Sequence, residues 1–300
     1  MMCGLIDEIN CLKRGKNAII LVHNYQRPEI YEVADFIGDS LELSRKSAET
    51  DADIIVFCGV DFMAETAFIL NPHKTVLLPI LDARCPMAGM ADARGVRELK
   101  NQYPSAAVVS YVNTSAEVKA ESDVCCTSAN AIKVVNSLKQ NDIIFVPDEN
   151  LALYVARHSK KRIIAWKGWC YVHTKFSADE LKKARQLHPG AEVIVHPECR
   201  PEVIDLADYV CSTSQMVKRV GESSSKEFII GTEVGMIERL KIEYPDRTFY
   251  AAPPGATCIQ MKKITLDSVF EALEKEQYVV RVPEDIRVKA RAALDRMLEL

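Results

Sequence analysis

The 300-residue chain contains a threefold internal repeat, which constrains the fold more than any other feature. Three apolar segments each end in polar residues, at His23, Tyr111 and His196, and these positions lie 88 and 85 residues apart. Four further sets of positions recur in the same order with offsets of 85 to 88 residues. These sets are Asp35, Asp123 and Asp208; Ser40, Ser128 and Thr213; Asp61, Asp148 and Glu233; and Cys85, Cys170 and Cys258.

Each repeat has the sequence pattern of a small α/β unit. Unbroken apolar segments such as Ile19–Val22 and Asp53–Gly59 alternate with helical patterns, which is typical of a parallel sheet covered on both faces. We therefore expect an α/β fold of three homologous sandwich modules around a pseudo-threefold axis. The expected divisions are residues 1–90, 91–177 and 178–265, followed by a helical C-terminal extension over 266–300.

Charge and hydropathy exclude several classes of protein. The 38 basic and 42 acidic residues give a net charge of −4, which argues against a broad nucleic-acid-binding face. Apolar runs such as Ile54–Val60 are far shorter than the ~20 residues of a transmembrane helix. The N-terminus carries Asp7 and Glu8 where a signal peptide has basic residues. We expect a cytoplasmic protein with no nucleic-acid or membrane partner.

The repeated polar residues follow the predicted strands, and ligands of open parallel sheets bind beyond the carboxyl ends of the strands. Ser40, Ser128 and Thr213 are expected to be helix N-caps, where a hydroxyl and free N–H groups together bind an anion. Ser40, for example, would cap a helix over Leu41–Ala48. The repeated Asp35 and its two equivalents are expected to serve local structure only.

Three of the ten cysteines occur once per repeat, at Cys85, Cys170 and Cys258, and no CxxC motif is present. A pseudo-threefold arrangement would bring these three thiols together at a metal centre with one open coordination position. Two centres fit this pattern: a [4Fe–4S] cluster with one free iron, and a catalytic zinc ion with three protein ligands. The cysteines expected to be structural are Cys3, Cys11, Cys58, Cys125, Cys126, Cys199 and Cys211.

An ordered set of short motifs makes the chain resemble the quinolinate synthase (NadA) family over essentially its whole length. The motifs are His23-Asn-Tyr-Gln26, Asp35-Phe-Ile-Gly-Asp-Ser40, Gly59-Val-Asp-Phe-Met-Ala-Glu65, Cys85-Pro-Met-Ala88, Tyr111-Val-Asn113, Thr127-Ser-Ala-Asn130, His196-Pro-Glu-Cys199, Gly231-Thr-Glu-Val-Gly-Met236 and Cys258-x-x-Met-Lys262. Two positions depart from the family pattern and affect the expected shape of the cavity. Trp169 stands where the family often has His, and Ser214 stands where it usually has Gly.

The resemblance implies condensation of iminoaspartate with dihydroxyacetone phosphate to quinolinate, phosphate and water. It also implies a [4Fe–4S] cofactor acting as a Lewis acid, and a functional link to an iminoaspartate-producing enzyme. Carried over by motif, the cluster ligands are Cys85, Cys170 and Cys258, and the catalytic candidates are Glu198, Tyr25 and His23. The implied substrate-binding residues are His23, Ser40, Tyr111, Asn113, Ser128, His196, Glu198 and Thr213.

The residue chemistry adds two expectations about protonation. Burial should lift the pKa of Glu198 toward neutrality, and nearby positive charge should lower the pKa of Tyr25. The role of His173, three residues after Cys170, stays open. Two other functions use the same residues: a three-cysteine zinc lyase or hydrolase, and a non-catalytic iron–sulfur sensor. The sensor has little support, because no DNA-reading element is present in the sequence.

Overall fold

The computed structural model describes residues 4–252 and 256–300, and within them twelve β-strands form three sheets. The first sheet contains β1 (Ala18–His23), β2 (Phe36–Gly38), β3 (Ile54–Cys58) and β4 (Thr75–Leu77). The second contains β5 (Ala107–Tyr111), β6 (Val124–Cys126), β7 (Asp142–Val146) and β8 (Arg162–Ala165). The third contains β9 (Glu192–Val195), β10 (Tyr209–Val210), β11 (Glu227–Gly231) and β12 (Thr248–Ala251).

The three sheets have the same topology. Their strand orders are β2-β1-β3-β4, β6-β5-β7-β8 and β10-β9-β11-β12, and every neighbouring pair is parallel. The register also repeats: Leu21, Val109 and Ile194 each pair with the short outer strand on one side and the next long strand on the other. These residues are separated by the same 88 and 85 positions as the sequence repeat. The prediction of three α/β modules is confirmed.

Helices alternate with the strands in the same order in each module. The first module has α1 (Leu5–Gly15), α2 (Pro28–Tyr31), α3 (Ser40–Glu49) and α4 (Asp61–Leu70). The second has α5 (Ala93–Gln102), α6 (Ala116–Ala120), α7 (Ala131–Ser137) and α8 (Glu149–Arg157). The third has α9 (Ala178–Leu187), α10 (Pro201–Ile204), α11 (Thr213–Glu222) and α12 (Gly235–Glu243). Each module ends in a 3-10 turn, over Ala88–Met90, His173–Lys175 and Met261–Lys263.

The sequence explains these elements locally. Every residue of β3 and β5 is buried, as expected for parallel strands with helices on both faces. Pro28 and Pro201 open α2 and α10, since proline has no N–H and none is needed in the first turn of a helix. The repeated aspartates serve local structure, as expected, because each carboxylate accepts a backbone N–H from the first strand of its module: β1, β5 or β9. The bonds are Ile20 to Asp35 (2.8 Å), Val108 to Asp123 (2.7 Å) and Val193 to Asp208 (2.8 Å).

The C-terminal extension packs against both the first and the second module. It forms α13 (Leu266–Lys275), which packs against α1, and α14 (Glu284–Leu298), which packs against α4 and α6. One apolar core includes buried residues of the first two sheets and of α14. The division at residues 90, 177 and 265 stays a prediction. In the described part of the chain, no helix is both long and apolar enough to span a membrane.

Candidate functional site

One cavity lies beyond the carboxyl ends of the strands, where the three modules meet. It is lined by every residue that the sequence analysis predicts to bind or react. These residues are His23, Tyr25, Ser40, Tyr111, Asn113, Ser128, His196, Glu198, Thr213, Cys85, Cys170 and Cys258. The repeat explains the convergence, because equivalent strands of equivalent modules end at the same central space.

The hydroxyl residues line the cavity, but their predicted role as N-caps is wrong. Asp39 caps α3 by accepting the N–H groups of Leu41 and Glu42, so Ser40 is the first residue of the helix. Ser212 likewise caps α11, and Thr213 follows it as the first helical residue. A side chain one residue earlier thus satisfies the helix start in both cases.

Ser128 also differs from the prediction. It lies in a turn before α7, and the N-cap position of that helix is Asn130, which makes no side-chain cap. In all three modules the hydroxyl is therefore free of a capping bond. Thr213 Oγ1 instead accepts a hydrogen bond from Asn24 Nδ2 at 3.0 Å.

The three repeated cysteines have the same surroundings. Each is partly exposed and lines the cavity, and the backbone N–H of the residue three positions later favours the ionised form of each thiol. Those residues are Ala88, His173 and Met261, the first residues of the three 3-10 turns. Among the other described cysteines none lines this cavity, and Cys58, Cys125, Cys126 and Cys199 are fully buried. Cys3 lies outside the described residues.

The chemistry of these thiols fits a metal cluster. Burial raises the pKa of Cys85 to about 12, and burial with the nearby Glu198 raises the pKa of Cys170 well above its ordinary value. Burial also raises the pKa of Cys258. Three neighbouring thiols of this kind ionise together only around a cationic centre, whose charge stabilises the thiolates. The threefold set of sulfurs with N–H donors is therefore suited to hold such a centre.

The sequence analysis assigned no role to His173. In the structure it lies close to Cys170 and is part of a chain of hydrogen bonds. A ligand atom from each of Cys170, His173 and Glu198 lies within 4.8 Å of the others, close enough to hold a metal ion. Both ring nitrogens of His173 already have partners, since Nδ1 is 2.7 Å from Glu198 Oε2 and Nε2 is 2.8 Å from Thr232 Oγ1. We therefore interpret this group as a hydrogen-bond network. The sequence analysis includes Thr232 in the motif Gly231-Thr-Glu-Val-Gly-Met236 but gives it no role.

Glu198 is buried, and its pKa is lowered, whereas the sequence analysis expected burial to raise it. Burial alone would raise this pKa, but His173, His196 and the hydroxyl of Tyr111 together lower it below the ordinary value. Tyr111 Oη donates to Glu198 Oε1 at 2.6 Å. The carboxylate is therefore ionised at neutral pH, because donors brought in from another module outweigh the desolvation.

Tyr25 also differs from expectation. Its hydroxyl lies 2.6 Å from Thr232 Oγ1 and 3.4 Å from His173 Nε2. Burial, with a further contribution from Glu198, raises its pKa well above 10, so the phenol stays protonated. The expected lowering is wrong, because burial and Glu198 both raise this pKa. The result is a continuous chain from Glu198 through His173 and Thr232 to Tyr25.

His23 and His196 are neutral donors that face the cavity. Burial lowers the pKa of each to about 3, with a smaller contribution from Lys262 for His23 and from His173 for His196. The Nδ1 of each ring accepts a backbone N–H, from Tyr25 at 3.1 Å and from Glu198 at 3.3 Å. The ring proton is therefore assigned to Nε2 in both, which leaves two equivalent N–H donors for a ligand.

The two departures from the family pattern do not line the cavity. Trp169 is 47% exposed, beside Cys170. Ser214 joins the third module to the first, since its Oγ accepts the backbone N–H of Asp39 at 3.1 Å and donates to the carboxylate of Glu42. Ser214 therefore contacts the cavity through Asp39, which is part of its lining.

Comparisons with known proteins point to one family. A family model described as "Quinolinate synthetase A protein" matches residues 7–299. The quinolinate synthase of Thermodesulfovibrio yellowstonii is 56% identical over 301 residues, covering 100% of this chain and 99% of that relative. The quinolinate synthase of Methanoregula boonei is 55% identical over 296 residues, covering 99% and 98%. Quinolinate synthase 1 of Methanosarcina acetivorans is 53% identical over 294 residues, covering 98% and 97%.

Proposed function

The chain belongs to the quinolinate synthase family, and from that premise we propose how its own residues divide the work of the reaction. The protein is an enzyme that condenses iminoaspartate with dihydroxyacetone phosphate and releases quinolinate, phosphate and water. It uses a [4Fe–4S] cluster. Membership of this family excludes the zinc lyase or hydrolase and the non-catalytic sensor.

We assign the cluster to Cys85, Cys170 and Cys258. One observation carries this assignment: in each module one cysteine lines the cavity, three residues before the first residue of a 3-10 turn. When bound, the cluster supplies a Lewis-acidic iron with a coordination position that no thiolate fills. Cys58, Cys125, Cys126 and Cys199 are buried outside this lining and serve packing.

The substrates are a dicarboxylate and a phosphate ester, and binding them requires hydrogen-bond donors without excess negative charge. The Nε2–H groups of His23 and His196 provide two neutral donors. Asn113 Oδ1 is buried and has no hydrogen-bond partner among the described residues, so it is available to accept an N–H or O–H of a ligand. The proposed binding residues are His23, Ser40, Tyr111, Asn113, Ser128, His196, Glu198 and Thr213.

The hydrogen-bond chain divides the proton transfers between its two ends. A proton leaves the carbon next to a carbonyl group and is taken up by the Glu198–His173 pair. Tyr25, protonated at neutral pH, donates a proton from Oη to a departing hydroxyl, which leaves as water. Thr232 then passes one proton from His173 to Tyr25, so that the chain returns to its initial protonation. General acid–base steps of this kind require hydrogen-bond reach, which these residues have.

An anaerobic assay of quinolinate formation from the two substrates tests the function, and iron and sulfide analysis tests the cofactor. We expect quinolinate and one phosphate per turnover, with about four iron and four sulfide per chain, as a [4Fe–4S] centre requires. Bound zinc with no sulfide, or no quinolinate from cluster-loaded protein, would contradict the proposal.

The instability of iminoaspartate in water suggests a partner enzyme that supplies it. Iminoaspartate is an imine that water hydrolyses, so we propose a functional link to an enzyme that produces it by oxidising aspartate. We also propose that the protein acts in the cytoplasm. Mixing the two enzymes in one assay should give more quinolinate than supplying iminoaspartate that was formed beforehand. Equal yields would remove the argument for a functional link.

A further inference from the structure

One repeated set of residues has no part in the reaction described above: the acids Asp61, Asp148 and Glu233. Asp148 and Glu233 are fully buried. In each module the acid accepts the backbone N–H of the cavity cysteine. The bonds are Cys85 N to Asp61 Oδ1 (3.1 Å), Cys170 N to Asp148 Oδ2 (3.1 Å) and Cys258 N to Glu233 Oε1 (3.0 Å).

A second repeated bond fastens each cysteine loop to the same place. The carbonyl two residues before the cysteine accepts a backbone N–H from the acid or from the residue after it. The bonds are Asp61 N to Ala83 O (2.9 Å), Glu149 N to Gly168 O (2.8 Å) and Val234 N to Ala256 O (3.1 Å). The loop is thus held both at the cysteine and two residues before it.

The same carboxylates also bond the backbone at the starts of the following helices. Asp61 accepts from Phe62 N at 2.9 Å, Asp148 from Leu151 N at 2.7 Å, and Glu233 from Gly235 N at 2.6 Å. Each carboxylate therefore connects a cysteine loop to the start of α4, α8 or α12. Helices packed on a sheet are more rigid than loops, so this connection transfers their rigidity to the cysteine.

We propose that Asp61, Asp148 and Glu233 are positioning residues, which hold the three cysteines at the separation that the cluster requires. This inference rests on the proposed assignment of Cys85, Cys170 and Cys258 as its ligands. Groups behind a metal ligand fix its orientation, and their loss commonly weakens metal retention about 10- to 100-fold. Here the group fixes the backbone of the ligand.

The oxygen atoms used by the acids differ between modules, which gives a sharp test. In Asp61 a single oxygen, Oδ1, accepts both N–H groups, so the amide oxygen of Asp61→Asn can keep both bonds. In Asp148 each oxygen accepts one N–H. Asp148→Asn keeps one bond and turns an NH2 group toward the other N–H. Asparagine should therefore be tolerated at position 61 and harmful at position 148.

The experiment measures iron per chain after anaerobic reconstitution, and the rate at which an iron chelator removes it. Asp61→Ala, Asp148→Ala and Asp148→Asn should lose iron at least about tenfold faster than wild type, and Asp61→Asn at nearly the wild-type rate. Matched controls are Asp35→Ala and Asp123→Ala, which also remove a carboxylate bonded to a backbone N–H in the same two modules. Both controls should retain iron as wild type does.

Two results would overturn the inference: wild-type iron loss from Asp148→Ala, or equally fast loss from Asp123→Ala. If Asp148→Ala fails to fold, the comparison of Asp61→Ala with Asp61→Asn decides, and equal rates for the pair contradict the positioning role. The variant Cys170→Ala distinguishes failure of the ligand assignment from failure of the positioning role. Full iron in that variant refutes the ligand assignment, whereas iron lost there but kept in Asp148→Ala refutes only the positioning role.

Discussion

Tyr25, Asn113 and Glu198 stand at equivalent positions of the three modules, two residues beyond the repeated polar position at the end of β1, β5 and β9. The backbone repeats while the side chains differ: a phenol that stays protonated, an amide with a free acceptor, and an ionised carboxylate. At the scale of single residues, the repeat therefore places three different chemical groups around one ligand.

Replacement of Glu198 by Gln should lower turnover by about 10²- to 10⁴-fold while iron content and substrate binding stay near wild type. The amide has nearly the same shape but cannot take up a proton with His173. Steady-state kinetics with iron analysis measures both effects. Glu202→Gln, at an exposed position of the same module, is the control and should behave as wild type. Turnover within a few-fold of wild type for Glu198→Gln would make the carboxylate structural.

The two neutral histidines should make the protein less stable in acid. His23 and His196 have a pKa of about 3 in the folded state, so the unfolded chain binds more protons between about pH 6.5 and pH 3. Unfolding free energy should therefore fall as pH decreases below 6.5, with each histidine contributing a slope of up to about 1.4 kcal/mol per pH unit.

Denaturant unfolding of the anaerobic holoenzyme at pH 7, 6 and 5 measures this slope. His196→Gln should flatten it, and the matched change His73→Gln, at an exposed histidine, should leave it unchanged. An identical slope in wild type and His196→Gln would show that His196 binds a proton equally in both states.

At the scale of secondary-structure elements, two neighbouring residues at a helix start cap the helix and line the cavity. The sequence analysis gave both roles to one residue. Asp39 and Ser212 cap their helices, while Ser40 and Thr213 face the cavity from the next position. A hydroxyl at this position can hydrogen-bond to a ligand without removing the side chain that caps the helix.

Ser40→Ala should therefore weaken binding of a dicarboxylate ligand and leave thermal stability almost unchanged. The loss of a donor to a charged group costs about 1.5–3 kcal/mol of binding free energy. Calorimetric titration gives the affinity, and melting curves without ligand give the stability. Ser47→Ala, in the same helix but away from the cavity lining, is the control for affinity. Unchanged affinity for Ser40→Ala would remove its hydroxyl from the binding site.

The sequence predicts the three α/β modules, the convergence of the site and the three cavity cysteines because all of these repeat at a fixed period. The errors have a common origin in contacts that the period does not encode. The pKa of Glu198 depends on Tyr111 and His173, which come from another module. For Ser40 and Thr213 the cap lies one residue earlier than the sequence predicts, because Asp39 and Ser212 also have capping side chains.

At the scale of the whole molecule, the proposed metal site draws one cysteine from each of the three modules. We expect that replacing Cys85, Cys170 or Cys258 by Ala abolishes stable iron binding and activity, because each module supplies one sulfur. Cys125→Ala, Cys126→Ala and Cys211→Ala should keep iron near the wild-type content, measured after anaerobic reconstitution. Full iron in a Cys258→Ala variant would contradict the assignment.

The three-module origin of the sulfurs also sets a time order during protein synthesis. Cys85 and Cys170 leave the ribosome long before Cys258, the last of the three in the chain. A nascent chain with two modules lacks one sulfur, so it offers iron an incomplete site. On the proposed ligand assignment, loading with metal follows translation of the third module, and a truncated chain released early carries no cofactor.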